Sequence, residues 1–529
     1  MEAFTAAECA ELRPYFTNLE GPVFALVNLP EVVKGALFAR YSRSPKSLRR
    51  LFLDEFLAPG GLDTAPAAGG PGPDTTRAEQ LFERVFVEYG DDSVAQLGGV
   101  HLACEGASNL LTKVIEWGRL MAYLEQSTRY IPYDDQPGGR YRYHVPAELA
   151  GVLREKYVAT LDHAFATYVA WLPRIRDYYA TRFPRSAGES EGVYRMSIRA
   201  KALDTLRGLL PAATTSNVGV FGTGQGYEHL LLRMRAHPLA EVRDYAELML
   251  TELRKVIPAF LRRVDIPARG GAWSTYLADT RASVEKLAGE LLADQKPEER
   301  AEVTLTDFDP EGEVKVVAAA LYAVSALPDD QLLARARRMS TDERRRVLQT
   351  YVGRRGNRRH KPGRAFERTG YRFDVLGDYG AFRDLQRHRL LTLEWQSLST
   401  RHGYVLPEAV TDAGARPAWE RVMADSAAAW EAIAGAGMPE VAAYAVSLAY
   451  RVRFSMQMNA REAMHVIELR TTPQGHPSYR RICQTMHRLI AEQAGHRALA
   501  EALCFADHSE VALERLEAER AAERRRLGG

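Results

Sequence analysis

The stretch "RHRLLTLEWQSLSTRHGY" (387–404) decides how this sequence is interpreted. It opens on three cationic side chains, continues with a short apolar run, and ends on a dense set of amide, hydroxyl and cationic groups. A second stretch, "WGRLMAYLEQSTRY" (117–130), has a similar order of residue types. Two such sets of hydrogen-bond donors in one chain indicate binding sites rather than ordinary surface.

The bulk composition is that of an ordinary globular protein. The chain has 529 residues, of which 46% are apolar and 26% are charged, which predicts two to four domains. Its formal net charge of +2 argues against a polyanion binder and against a membrane-surface protein. Arginine far outnumbers lysine, which suits bidentate anion recognition, although a GC-rich genome gives the same bias.

Neither cysteine spacing nor hydropathy points to a special environment. The four cysteines form no C-x-x-C motif, so a zinc ribbon or a thioredoxin-type site is not expected. The N-terminal segment has no apolar core typical of a secretory signal. The longest apolar run, "VVAAALYAV" (316–324), is about half of what spanning a bilayer requires. We therefore expect a cytoplasmic protein without membrane contact.

Changes in composition divide the chain. The Gly-, Pro- and Ala-rich stretch 58–76 predicts a flexible surface insertion. A polar stretch (293–303) separates two long regions of helical periodicity, and the charged tract 514–526 predicts a solvated helical tail. We predict two units, a first repeat (1–292) and a second repeat (303–529).

The two regions also resemble each other in the order of their motifs. The opening pair of stretches aligns, and "GTGQGYEHLLLRM" (222–234) resembles "QMNAREAMHVIELRT" (457–471). This order indicates a tandem duplication. Apolar spacing predicts helices at 92–124, 145–182, 194–210, 226–262, 276–293, 328–350, 415–435, 439–450, 460–470, 478–503 and 509–526. Strands are predicted at 21–28, 303–308 and 370–376, which gives a helix-rich α/β (α+β) fold with small sheets.

Two clusters in the second repeat can bind anions. On extended backbone, Arg387 and Arg389 share one side with His388 opposite, and such a pair of guanidinium groups can hold a phosphate or pyrophosphate. In "NAREAMHVIELR", Asn459 is placed as a helix N-cap, with Arg461 in the first turn. Taken alone, the R-H-R is more often a solvated basic turn, and the histidine of the second cluster, His465, a buried core residue.

A third basic stretch, 344–364, carries few aromatic residues among its arginines, so single-stranded nucleic-acid binding is not expected. It fits a solvated loop, or a segment that meets a folate tail or a cofactor phosphate. No helix-turn-helix or zinc-finger pattern is evident, and no metal site is predicted.

Together these motifs resemble the flavin-dependent thymidylate synthases (ThyX). That family carries R-H-R, then S-x-N-E-x-S-x-R-Y, then an R-x-x-L-P element and N-x-R-x-x-x-H-x-x-x-x-L-R. The first repeat keeps E-x-S-x-R-Y as Glu125, Ser127, Arg129 and Tyr130, and the R-x-x-L-P element as Arg207, Leu210 and Pro211. It also keeps Arg119, where R-H-R would end, and the late arginine Arg233. Trp117 and Gly118 replace the rest of its R-H-R, and Thr223 and Gln225 replace its N-x-R.

The second repeat keeps mainly those parts of the motif set that the first repeat has lost. It keeps Arg387, His388, Arg389, Asn459, Arg461, His465 and Arg470. Its serine segment is stretched, with Glu394 or Gln396 near the glutamate position and Ser399 and Arg401 near S-x-R. It has no R-x-x-L-P element, and "AYAVSLAYRVRF" (443–454) occupies that place.

The resemblance implies an enzyme that moves a methylene from methylenetetrahydrofolate to dUMP, using FAD reduced by NADPH, with no covalent protein nucleophile. Residues that would contact the flavin are Arg387, His388, Arg389, Asn459, Arg461, His465, Arg119 and Glu125. Residues that would bind the nucleotide are Ser127, Arg129, Tyr130, Arg207, Arg233, Gln396, Ser399, Arg401 and Arg470.

Family members are homotetramers whose sites form from several chains. We therefore expect a homodimer that forms a pseudo-tetramer, in which the first repeat supplies the nucleotide side and the second the flavin side, with half the usual number of sites. Two alternatives stay open: the same fold acting on another pyrimidine, and a non-catalytic protein that binds flavin or nucleotide.

Overall fold

The chain folds into α-helices and two small sheets. The computed structural model describes residues 4–21, 24–41, 44, 46–57, 96–185, 190–510, 513, 516 and 520. The α-helices of the N-terminal half are Ala6–Leu12, Glu31–Tyr41, Leu48–Phe52, Asn109–Ile115, Gly151–Arg182, Glu191–Leu206, Gly224–Arg235, Ala240–Arg254 and Ala272–Leu291. Those that follow are Gly312–Tyr322, Asp329–Arg338, Thr341–Val352, Tyr379–Leu385, Glu408–Asp412, Arg416–Gly435, Pro439–Ala442, Ala460–Arg470, Pro477–Glu492 and Arg497–Ala502.

Seven strands form the two sheets. They are β1 (Gly99–Ser108), β2 (Met121–Glu125), β3 (Thr215–Thr223), β4 (Val303–Phe308), β5 (Gly370–Asp378), β6 (Thr392–Trp395) and β7 (Arg451–Asn459). The first sheet has the order β1-β3-β2 and the second the order β4-β5-β7-β6. The paired strands with a recorded register run antiparallel. The predicted helix-rich α/β class with small sheets is confirmed.

The two sheets repeat one plan. Leaving β4 aside, the order β5-β7-β6 reproduces β1-β3-β2. Each central strand leads directly into a helix, and the cap side chain accepts a hydrogen bond from the helix backbone: Thr223 from Gly226 and Asn459 from Glu462. The predicted N-cap role of Asn459 is thus confirmed. Because β3 and β7 have equal lengths and the same kind of cap, residues at equal distances before the two caps correspond.

Corresponding residues meet each other at a local twofold axis. Pro211 and Ser447 correspond, and they form a β-bridge with each other. Around it, Ala212 donates to the carbonyl of Val446 at 2.8 Å, and its symmetry-related bond runs from Leu448 to Leu210 at 2.9 Å. A contact in which each residue pairs with its own counterpart is the signature of a twofold interface. Here that interface lies within one chain.

Two compact units can be distinguished, and they do not coincide with the sequence repeats. Unit 1 comprises residues 1–105, 118–125 and 217–295, and unit 2 comprises residues 106–117, 126–216 and 296–529. Unit 2 therefore contains segments of both repeats. The boundaries 1–292 and 303–529 stay a prediction.

Several predicted elements agree with the structure, and others were interrupted or wrong. The strands 303–308 and 370–376 and the helices 145–182, 276–293, 415–435 and 460–470 are present with shifted ends. The predicted helix 226–262 is interrupted at Pro238, 328–350 at Met339 and 478–503 at Gly495. Of 439–450, only Pro439–Ala442 and a short 3-10 turn are helical, because the rest makes the twofold contact.

The region 92–124 is not one helix. From residue 99 it forms β1, the helix Asn109–Ile115 and β2, and the side chains of β1 alternate largely between buried and exposed. In 21–28, the described residues form only a single bridge, from Leu26 to Phe16. The insertion 58–76 and most of the tail 509–526 lie outside the described residues. Among the described residues, no helix is long and apolar enough to cross a bilayer.

The basic stretch 344–364 is partly a structural element. Arg355 is a buried cation whose guanidinium donates to both carboxylate oxygens of Glu468 at 2.6 Å and to the carbonyl of Ala502 at 2.7 Å. The side chains of this ion pair are only 2% and 1% exposed. By contrast, Arg345 pairs with Glu501 at the surface, where both side chains are about half exposed.

These two ion pairs give a stability prediction. Replacing Glu468 by Gln leaves the Arg355 charge buried without its counter-charge, so we expect the free energy of unfolding to fall by about 3–5 kcal/mol. The matched change Glu501→Gln removes an exposed pair and costs less than about 1 kcal/mol. Denaturant titration of both variants measures the difference, and equal losses would contradict the structural role of Arg355.

Candidate functional site

Unit 2 contains a buried cluster of arginines and carboxylates. In it, Arg129 donates from Nε and Nη2 to the two carboxylate oxygens of Asp204 at 2.7 and 2.6 Å. Its Nη1 donates to the hydroxyl of Tyr479 at 2.8 Å, and Nη2 also reaches the carbonyl of Gln474 at 3.2 Å. Burial alone raises the pKa of Asp204, but Arg129 outweighs burial and holds that pKa at about 2. The carboxylate is therefore charged at neutral pH.

The second carboxylate of the cluster is Asp384. It lies 3.4 Å from Nη1 of Arg387, 3.8 Å from Nη1 of Arg470 and 3.7 Å from Nη1 of Arg207. Burial raises its pKa, yet these guanidinium groups, with a further contribution from Arg129, hold it well below its usual value. Asp384 therefore interacts with arginines of both repeats.

The cluster has a surplus of positive charge. Arg129, Arg207, Arg387 and Arg470 surround two carboxylates, which leaves a formal charge of +2. Arg207 is only 4% exposed, and within the described part of the chain its Nη2 has no hydrogen-bond partner. A buried donor without an acceptor is costly. The arrangement is therefore suited to an anion of about two negative charges.

A neutral histidine completes this side of the cluster. His476 accepts from the backbone N–H of Ser478 at Nδ1, so its Nε2 carries the proton and donates to the carbonyl of Asp204 at 3.3 Å. Burial and the charge of Arg207 hold its pKa well below the usual value. His476 therefore orients the cluster without adding charge.

The R-H-R segment lies in the turn between the helix Tyr379–Leu385 and β6. The side chain of His388 is buried, whereas those of Arg387 and Arg389 are partly exposed. Nε of Arg470 donates to Nε2 of His388 at 2.9 Å, so the proton of the neutral ring is on Nδ1, 3.6 Å from Glu462. Burial and Arg470 lower the pKa of His388.

Glu462 is a buried acid beside this histidine. Burial raises its pKa to about 7, although Lys361, Arg461 and Arg389 oppose the shift. These three cations therefore lie near one carboxylate that is protonated for part of the time at neutral pH. Lys361 also hydrogen-bonds Nδ1 of His465, whose pKa burial and Lys361 lower to about 4.

His388, Glu462 and His465 offer three potential metal-ligand atoms within 4.8 Å of one another. One ring nitrogen of each histidine, however, already contacts a cation: Arg470 donates to Nε2 of His388, and Lys361 contacts Nδ1 of His465. Positive groups this close to the three residues repel a metal cation. The charge distribution here favours an anion.

The helix Ala460–Arg470 presents its N-terminus on the same side. Arg461, in the first turn, donates from Nε to the carbonyl of Pro362 at 3.0 Å and lies 3.5 Å from Glu367. Its side chain stays 34% exposed. Helix N-termini with an adjacent arginine attract phosphate groups. Through Arg470, His388 and Glu462, this surface is continuous with the Asp384 cluster.

The structure brings some of the predicted site residues together and places others elsewhere. Ser127 lies at the start of the Arg129 turn, where its Oγ accepts from the Arg129 backbone at 3.2 Å, and Tyr130 is 62% exposed. Arg119, Glu125 and Arg233 belong to unit 1. Gln396, Ser399 and Arg401 line a different cavity of unit 2.

Strand register identifies which residue of β6 corresponds to Glu125. In β2, Glu125 faces Val218, and in β6, Trp395 faces Phe454, the counterpart of Val218. The glutamate position is thus held by Trp395, between the two expected candidates Glu394 and Gln396. Trp117 lies 8 residues before Glu125, and Arg387 lies 8 residues before Trp395. Trp117 and Arg387 therefore correspond.

These two tryptophans contact each other. The rings of Trp117 and Trp395 pack edge to face with centroids 5.7 Å apart, and Nε1 of Trp117 donates to the carbonyl of Leu393 at 3.1 Å. Trp117 thus stands in the first repeat where the second has Arg387, and Trp395 stands in the second repeat where the first has Glu125. In the same way, Ala443 corresponds to Arg207.

Sequence reasoning missed the residues that hold the arginines. Asp204 and Asp384 each lie three positions before a predicted site arginine, Arg207 and Arg387. A carboxylate one helical turn before a key arginine was the available signal. Lys361, in the basic stretch, carried no signal, since its partner His465 is distant in sequence.

Comparison with known proteins gives two kinds of relative. A family profile described as "Thymidylate synthase complementing protein" matches residues 59–259 and again residues 304–494. A UPF0159 protein of Chlamydia muridarum is 38% identical over 98% of both chains, and one of Thermoplasma acidophilum is 30% identical over 92% of this chain and 97% of its own. A flavin-dependent thymidylate synthase of Clostridium tetani is 25% identical over 34% of this chain and 67% of its own.

The raised pKa of Glu462 predicts a pH effect on stability. Between about pH 4.5 and 7 the folded chain keeps a proton on Glu462 that the unfolded chain has lost, so this contribution to stability falls as pH rises. Relative to the wild type, Glu462→Gln should therefore gain roughly 2–3 kcal/mol between pH 5 and 8. Urea unfolding across that range measures it, and a pH-independent difference would contradict the assignment.

Proposed function

Because the chain belongs to the family of thymidylate synthase complementing proteins and carries the ThyX unit twice, we propose that it is an FAD-dependent thymidylate synthase-like methyltransferase. Its reaction is the transfer of a methylene from methylenetetrahydrofolate to dUMP, with NADPH as the source of electrons. The observation that carries the proposal is the buried cluster of charge +2 around Asp204 and Asp384, next to the R-H-R turn.

The cluster fits the phosphate of a nucleoside monophosphate. Such a phosphate carries about −1.5 to −2 charge at neutral pH and offers three acceptor oxygens. Nη2 of Arg207 is a buried donor still lacking an acceptor, and the neighbouring Arg470 and Arg387 add partly accessible guanidinium groups. Charge-assisted hydrogen bonds of this kind are about twice as strong as neutral ones. Asp204 and Asp384 hold the guanidinium groups in place before the nucleotide arrives.

The adjoining surface fits an anionic dinucleotide cofactor. Arg389, Arg461 and Lys361 lie around Glu462, and the N-terminus of Ala460–Arg470 adds backbone donors. Bound there, FAD supplies the redox chemistry of the reaction. The chain's own residues bind its phosphates, and the neutral His388, fixed by Arg470, presents a protonated Nδ1 to Glu462.

The contact between Trp117 and Trp395 supports one working site per chain. A second site built on the opposite side of the local twofold axis would use position 117 where the first uses Arg387, and position 443 where the first uses Arg207. These positions hold Trp117, packed against Trp395, and Ala443, which carry no charge. We propose a cytoplasmic homodimer in which two chains take the place of four ThyX units.

Flavin stoichiometry tests this division. Purified protein should be yellow and release about one FAD per chain on denaturation, because the second position has the neutral Gln225 where the first has Arg461. Quantifying released flavin against protein concentration gives the ratio. Two flavins per chain would rule out the loss of the second site.

Two arginine substitutions separate the ligands. Arg207→Gln should weaken dUMP binding roughly ten- to a hundredfold while flavin content is kept, because a charged hydrogen bond contributes about 1.5–3 kcal/mol. Asp384 stays paired in this variant through Arg387 and Arg470. Arg389→Ala should release flavin, which absorbance measures. Arg416→Ala, an exposed arginine paired with Glu420, is the control and should retain both ligands.

Complementation tests the reaction itself. Expression in a strain that requires thymidine should restore growth, and Arg207→Gln should reduce that rescue. A flavin-containing protein that fails to rescue points instead to another pyrimidine substrate. A protein that binds neither flavin nor nucleotide would overturn the proposal.

A further inference from the structure

Two histidines of unit 2 face each other near the end of the described chain. His487 lies on the helix Pro477–Glu492, and His508 lies on the segment 503–510. Nδ1 of His487 is 2.8 Å from Nε2 of His508, and the two ring centroids are 5.1 Å apart. Neither residue belongs to the Asp204–Asp384 cluster. This histidine pair is therefore a feature that the proposed function does not use.

A backbone carbonyl fixes the tautomer of His487. Its Nε2 lies 2.9 Å from the carbonyl oxygen of Ala500, which can only accept, so Nε2 carries the proton of the neutral ring. Nδ1 is left with a lone pair and accepts from Nε2 of His508. Histidines that bind metal ions commonly donate their other ring N–H to a backbone carbonyl, which orients the lone pair. His487 therefore has the tautomer and the support of a metal ligand.

The spacing of the pair is close to that of two histidines on one zinc ion. Zinc–nitrogen bonds of about 2.0–2.1 Å at a tetrahedral angle place the two nitrogens about 3.3 Å apart and the ring centres about 5 Å apart. The ring separation of 5.1 Å already has this value, whereas the nitrogens at 2.8 Å need to separate by roughly 0.5 Å. Because His508 is exposed, its proton can exchange through water from Nε2 to Nδ1, which frees Nε2 as the second ligand atom.

The charges around the pair permit a cation. Partial burial lowers the pKa of His508, so the ring is neutral at neutral pH, which is the form that binds metal. The nearby Arg480 is offset by Asp507, which accepts from it at 3.3 Å, and Arg488 is exposed, where water screens its charge. In the described part of the chain, no cation contacts either of the two facing nitrogens. The histidines beside Glu462 differ in this respect.

Hydrogen bonds hold the residue next to His508 in place. The backbone N–H of Asp507 donates to Oγ1 of Thr471 at 3.0 Å. The side chain of Asp507 accepts from Nη2 of Arg480, whose Nε donates to the carbonyl of Thr471 at 2.9 Å. Thr471 is the C-cap of the helix Ala460–Arg470. The segment that carries His508 is therefore positioned before any ion binds, and it contacts the end of a helix that contributes to the arginine cluster.

We propose that His487 and His508 together bind a divalent metal ion that prefers imidazole ligands, with Zn²⁺ as the occupant. Among the described residues, no carboxylate or thiol forms a group of three with this pair, so water molecules fill the remaining coordination positions. Bound there, the ion links the segment 503–510 to the helix Pro477–Glu492. It thereby reinforces the contact of that segment with Thr471. The inference does not depend on which reaction the chain performs.

Calorimetric titration with zinc chloride tests the proposal. The sample is the full-length protein without a purification tag, dialysed against EDTA and then against buffer. We expect about one zinc ion per chain, and His508→Ala should weaken its binding about tenfold or more, because only one protein ligand remains. His487→Gln should have the same effect. His229→Ala is the matched control, since His229 is an exposed histidine of unit 1 that packs against Trp273.

Hydrogen exchange gives a second measurement on the same proteins. Zinc should slow the exchange of backbone amides in the segment 503–510 of the wild type and of the control, because the ion holds that segment against the helix. In His508→Ala, zinc should leave this exchange unchanged. The flavin content should be the same in all of these proteins, because neither histidine lies in the proposed flavin surface.

The outcomes separate this inference from the proposed function. Zinc binding that is lost in both His508→Ala and His487→Gln and kept in His229→Ala supports it, whatever the result with dUMP. Equal zinc affinity in the wild type and His508→Ala, or no zinc binding by either, overturns it. Zinc binding that only Glu462→Gln abolishes places the ion beside His388 and His465 and also overturns it.

Discussion

The buried carboxylates Asp204 and Asp384 set the main constraint on unit 2. Four guanidinium groups cannot be kept together away from water without counter-charges, because each isolated ion loses several kcal/mol of solvation. Two carboxylates supply part of that compensation and leave the rest for an anion. Since Arg129 comes from the first repeat and Arg470 from the second, the same charges hold both copies of the duplication in one unit. Stability and the proposed ligand binding therefore depend on the same ions.

The local twofold axis explains why the copies can cooperate. Residues around Pro211 and Ser447 pair symmetrically through the backbone, and backbone hydrogen bonds tolerate side-chain divergence. The scaffold thus stays symmetric while the side chains beside it differ, with Arg207 on one side and Ala443 on the other. The symmetric backbone contact is common to both halves, and the side chains beside it decide which half carries the arginine.

The N-cap role of Asn459 could be predicted because a helix cap depends on neighbouring residues. The alternation of β1 was obscured by small apolar residues that also fit a helix. The counterpart of Glu125 was misplaced by one position, because a β-strand changes face at every residue and only the pairing of β6 with β7 fixes its register. Asp384 gathers arginines from distant segments, which no local pattern specifies.

Duplication within one chain also removes a restriction that identical subunits impose. In a symmetric homo-oligomer, a substitution changes every copy of a site at once, so an arginine needed for binding cannot become tryptophan anywhere. In a tandem chain, position 117 can change while Arg387 is kept. The Trp117–Trp395 contact then replaces a charged position by an aromatic pair, which needs no counter-charge. Asymmetry of this kind lets one of two corresponding positions lose its charge while the other keeps it.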